Sequence, residues 1–151
     1  MTRLYSSLMK FLVVWYGLFQ GIHILVNARG LVLLARGSID FPALPPAVGW
    51  SSQAIHFMTA MASVDLLNAF LTLIFAFGYF RRARWHTGLG ILTLTVSVYA
   101  AIVFDYATLA SGAWSGNLPG YLFTNSTFLP VILLFVLFSR RVIQRQAERA
   151  E

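Results

Sequence analysis

The chain has 151 residues, of which 58% are hydrophobic and only 11% charged, with a mean hydropathy of +0.73 and a formal net charge of +6. Charged residues make up ~25% of an ordinary soluble domain, so this composition describes a small polytopic membrane protein. Cysteine is absent, which excludes disulfides, thiolate metal sites, iron–sulfur clusters and c-type haem attachment; the basic side chains lie beside apolar spans and read as membrane-side anchors, not as a nucleic-acid surface.

The opening residues carry Arg3 and Lys10 and lead into an apolar run that ends at Ala35, a transmembrane helix over about 8–35. Val26-Asn27-Ala28 offers the small residues of a signal-peptide cleavage site, but Gln20 and His23 interrupt the apolar core, so a retained helix is expected. Three of the five prolines fall between Arg36 and Ser51, and an extended external loop is expected there. The second helix, 53–80, holds a bare carboxylate, Asp65, near its middle. A charge at that depth costs at least ~2.5 kcal/mol and needs a donor or a wet cavity. Met58, Met61, Asp65, Asn68 and Thr72 recur at steps of three and four and therefore share one face.

An arginine-rich turn, Phe80 to His86, joins the second helix to a third over 87–109, with Asp105 near its end. An uncharged Gly/Ser/Pro loop, 111–120, precedes a fourth helix over 121–139 and a basic tail, 140–151, expected to be helical and to lie on the membrane surface. Lys and Arg number nine in the amino-terminal segment, the middle turn and the tail, against two in the remaining segments. The positive-inside rule then places both termini in the cytoplasm. No internal repeat or linker is found, so residues 1–151 are expected to form one transmembrane domain, an all-α four-helix bundle.

With that orientation the polar groups of the spans converge. Tyr16, Gln20, His23 and Asn27 form one stripe on the first helix, and Asp65, Asp105 and Asn125 fall in the outer half of theirs. The inner halves, such as LTLIFAFGYF and VILLFVLF, are almost pure hydrocarbon. The expected bundle has a sealed apolar base and a polar chamber above it, opening outward. Trp50 and Trp114 are expected in the outer interfacial belt, Trp85 in the inner one and Trp15 in the inner leaflet; His86 is expected to be exposed in its turn. The three histidines lie at different depths, which disfavours a bis-histidine haem, and neither metal nor cofactor is expected.

Taken in order, these features resemble the EXPERA family, four-helix membrane proteins of the sigma-two receptor and emopamil-binding type. The resemblance rests on Asn27 in LVNARGLVL, where members can carry an aspartate, on PPA at Pro45 to Ala47, and on Asp65 in SVDLLNAF, where members have a glutamate. It extends to the turn RRARWH, to FDY ending the third helix and to FLPVILLFVLFSRR with Pro130 in the fourth. The resemblance implies a cavity for sterol-like or amphiphilic cationic ligands, with Asp65 as counter-ion and Asn27 as its partner.

Two functions follow from different readings of the same residues. In the first, the protein binds a lipid, sterol-like or other hydrophobic ligand through Tyr16, Gln20, Asn27, Met58, Met61, Asn68, Asp105 and Asn125. Any chemistry would then be a cofactor-independent, isomerase-type proton transfer by Asp65 and His23. In the second, the polar stripes are packing glue in an accessory subunit of a homo-oligomer or larger membrane complex, each bond contributing only ~0.6 kcal/mol. An ion pathway is disfavoured by the hydrocarbon inner halves. The expected partners are membrane lipids and a hydrophobic small molecule, with no nucleic acid, and the expected location is a prokaryotic cytoplasmic membrane before an endoplasmic reticulum.

Overall fold

The computed structural model describes residues 3–36, 51–110, 112 and 114–150. The chain forms four helices, α1 Arg3–Ala35, α2 Ser52–Phe80, α3 His86–Ala110 and α4 Leu118–Ala150. Each is long and apolar enough to cross a membrane, and the protein is a multi-pass four-helix bundle. Leu25, Leu67, Ile102 and Phe123 stand exposed on its outside, as side chains solvated by lipid do. The expected proline loop and Trp50 fall, for residues 37–50, outside the described residues.

Each helix packs against two neighbours: α1 touches α2 and α4, and α3 touches the same two, so that α1 faces α3 and α2 faces α4 across the middle. Neighbours are antiparallel. Tyr16 meets Thr72 while Asn27 meets Asp65 further along, and Tyr5 reaches the carbonyl of Leu137 while Trp15 reaches that of Thr127. Pro130 removes one amide from the ladder of α4, and the Thr127 carbonyl beside this gap accepts the Trp15 indole N–H at 3.1 Å.

The core fills the half of the bundle that holds the start of α1, the α2–α3 turn and the far part of α4, here termed the basal half. Met9, Leu12, Val13, Phe75, Leu94, Val131, Leu134 and Phe138 form one buried cluster. Gly90 makes this packing possible, because a Cβ there would stand 2.5 Å from the Phe75 ring and 2.9 Å from that of Phe138.

The α2–α3 turn has a defined geometry. The amide of Ala83 donates to the carbonyl of Gly78 at 2.9 Å and that of Arg82 to Tyr79 at 3.2 Å, the paired bonds of a Schellman cap. Its left-handed position, normally glycine, is taken by Arg82 with φ 55°. Trp85 folds back over Gly78, where a side chain would collide with the indole.

The structure adds detail to these expectations and changes some of them. His86 is half-buried, because its ring packs against Tyr79 and Phe138 and its Nδ1–H donates to the Ala83 carbonyl. Trp114 is only 7% exposed, and its indole N–H bonds Thr108 Oγ1 at 2.9 Å, so the ring turns into the bundle. The basic tail continues α4 without a break to Ala150, since nothing between Phe138 and Ala150 is a helix breaker. At its other end α4 starts at Leu118, three residues before the expected boundary, because the Asn117 side chain caps it by accepting the Gly120 amide at 3.1 Å.

Candidate functional site

Above the basal core lies a buried polar layer centred on Ser97 of α3. Gln20 Nε2 and Asn68 Nδ2 donate to Ser97 Oγ at 2.9 and 2.8 Å, and Tyr16 Oη lies 2.7 Å from it. The two amides fill the lone pairs of the Ser97 oxygen, so its own hydrogen goes to Tyr16. Thr72 donates to the same Tyr16 oxygen at 3.0 Å. All five side chains are buried, and each has at least one hydrogen-bond partner within the layer, which offsets the cost of holding polar groups in a membrane. One atom is left over: Gln20 Oε1 is buried with no partner.

Beyond this layer the four helices part around a partly open cavity of about 190 Å3. A single water needs only ~10–15 Å3, so the space admits something much larger. The walls are mainly apolar and aromatic, with Phe19, Phe104, Trp114 and Phe128 among them, and small residues, Gly30, Ala62, Ala100 and Ala101, leave the room.

Of the residues singled out from sequence, Gln20, His23, Asn27, Met58, Met61, Asp65, Asp105 and Asn125 line this one cavity. Tyr16 and Asn68 do not reach it; they belong to the polar layer beneath. The α1 stripe is thus divided by function of depth, its lower end serving as floor and its upper end as wall.

Asp65 Oδ2 accepts a hydrogen bond from Asn27 Nδ2 at 2.7 Å, the bond that ties α2 to α1 at this level. Asp105 accepts two longer ones, from Tyr121 Oη and Asn125 Nδ2, both at 3.3 Å. Every one of these donors is neutral, so none of these bonds brings a cation to either carboxylate. His23 stacks on Phe19 with ring centroids 4.3 Å apart, and its Nδ1 faces the Phe19 carbonyl at 2.9 Å. A carbonyl only accepts, so Nδ1 is the donor in this contact. The cavity is thus bordered by two carboxyl groups whose bonds come from neutral donors, with Gln20 Oε1 unpartnered beside them.

Ser97 was not singled out beforehand, and Trp114 was read only as an interfacial residue, not as part of the site. For Ser97 a signal existed: Thr93, Ser97, Ala100 and Phe104 recur at steps of four, three and four, a small and polar seam on an apolar helix. For the place of Trp114 in the wall there was none, because it depends on Thr108 in the last turn of α3.

Compared with protein-family models, curated proteins and solved structures, the chain matches none.

Proposed function

We propose that the protein binds a hydrophobic molecule with a cationic, hydrogen-bond-donating end in the cavity bordered by Asp65 and Asp105. The observation that carries this reading is the imbalance of the site: two carboxylates bonded by neutral groups and the unpaired Gln20 Oε1, around an apolar-walled space. A neutral hydrocarbon would leave these acceptors unused, whereas an amine brings both the missing donors and the opposite charge, which acts strongly in a low dielectric. Room beside Asp65 also argues against a role as packing glue alone, which would call for side chains filling that space. The resemblance to the EXPERA family leads to the same ligand class, and the 2.7 Å bond between Asn27 and Asp65 supports the pairing that the resemblance implies.

The test compares a long-chain alkylamine with the alcohol of equal length on the protein in lipid nanodiscs. Wild type is expected to prefer the amine. Asp65→Asn, which keeps the size and can still pair with Asn27, is expected to retain helicity and thermal stability while amine affinity falls at least ~30-fold, as for loss of a buried charge pair. Unchanged amine affinity in a folded Asp65→Asn protein would remove the assignment.

A further inference from the structure

At the opposite end of the bundle from the cavity, a groove of about 640 Å3 runs between the α2–α3 turn and the part of α4 that continues past the core. Arg82 and Arg84 line it from the turn, and Arg141 and Arg145 from α4. The floor is apolar, formed by Phe138 and Val142, and the wall includes His86 and Thr87 at the start of α3.

Two features of this groove oppose stability. Arg141 and Arg145 are four residues apart on one helix face, a spacing at which like charges repel. Arg82 holds the left-handed position of a Schellman cap, φ 55°, where glycine would sit without strain. The third arginine of the turn shows that the clustering is not a general property of the segment. Arg81 leaves the groove and lies over the Phe77 ring at 5.4 Å from its centroid.

We propose that this groove binds the head group of a membrane lipid carrying more than one phosphate. Guanidinium groups recognise phosphate oxygens through paired N–H donors, and four of them around one opening exceed what a single phosphodiester neutralises. The groove also opens where a bilayer would place such a head group. The turn closes directly on the apolar ends of α2 and α3, with Phe80 and Trp85 each 49% exposed beside it, and Val142 and Phe138 offer an apolar surface to the first carbons of an acyl chain. An anion seated there removes the repulsion between Arg141 and Arg145 and gives the strained Arg82 a partner. The site is separate from the cavity and does not depend on the ligand proposed for it.

The experiment is thermal unfolding of the full chain in a neutral detergent, titrated with diphosphatidylglycerol, phosphatidylglycerol, phosphatidylcholine or inorganic phosphate. The melting temperature is expected to rise most with the two-phosphate lipid, less with the one-phosphate lipid, and not with phosphatidylcholine or inorganic phosphate. In R141Q/R145Q the apparent affinity for diphosphatidylglycerol should fall on the order of 10- to 30-fold. R82G provides the control for folding: it relieves the strained cap, so it should melt no lower than wild type without lipid, yet gain less from diphosphatidylglycerol. Equal shifts from all three lipids, or full lipid response in R82G and R141Q/R145Q, would overturn the proposal. An equal shift from inorganic phosphate would overturn the lipid assignment.

Discussion

In the basal half of the bundle Phe75, Leu94, Val131 and Leu134 are fully buried against one another, while in the other half the same four helices leave about 190 Å3 between Asp65, Asp105 and Asn125. The side chains differ between the halves. At the base, large aromatics meet over a glycine, Gly90, so that Phe75 and Phe138 pack edge to face with centroids 5.5 Å apart. Beside the cavity the inward positions include Gly30, Ala62, Ala100 and Ala101, too small to fill the space between the walls. Between the two lies the Ser97 layer, whose bonds hold α1, α2 and α3 at a fixed separation just where packing gives way to space. A membrane bundle gains little from driving apolar groups together, since lipid is equally apolar, so such space can persist if its polar groups are satisfied.

The contrast is broken most severely at Gly90. Gly90→Val puts a branched side chain into the rings of Phe75 and Phe138, and should destabilise the protein by about 3 kcal/mol, read as an earlier midpoint in unfolding by denaturing detergent. An unchanged midpoint would mean that the base is not close-packed. Ser97→Ala should have an intermediate effect, about 2 kcal/mol, because it strands the Gln20 and Asn68 amides together with Tyr16. Faster hydrogen exchange should then appear at the middle of α1 and α2 before the base is affected. The smallest effect on stability is expected at Gly30, where an added Cβ meets nothing within 4 Å. Gly30→Leu should stay within about 0.5 kcal/mol of wild type and yet weaken binding of the alkylamine by occupying the cavity. A glycine exchange that is severe in one half and silent in the other is the sharpest expression of the difference between them.

Much of the site could be read from spacing, because helical periodicity assigns residues to faces without knowledge of their neighbours. Gln20, His23 and Asn27 share a stripe, as do Met58, Met61 and Asp65, and both stripes turn to the cavity. Periodicity does not say where along a stripe packing ends. Tyr16 and Asn68 were grouped with the residues above them, but they join Ser97 in the floor. Nor does it identify a hub: Ser97 is one hydroxyl in an apolar span until donors from α1 and α2 converge on it.

The sequence by itself determined that four apolar helices cross a membrane, since hydropathy is a local property and bilayer thickness sets the length of a span. It also determined that Asp65 needs a donor, since the cost of a bare charge in lipid is independent of the fold. Only the tertiary structure decided that Asn27, the partner the resemblance implied, donates to Asp65 at 2.7 Å, that Trp114 turns inward to Thr108, and that Gly90 lies under two rings. Each of these joins residues from different turns or helices, and a contact between them exists only once the helices have been set side by side at a particular depth and rotation.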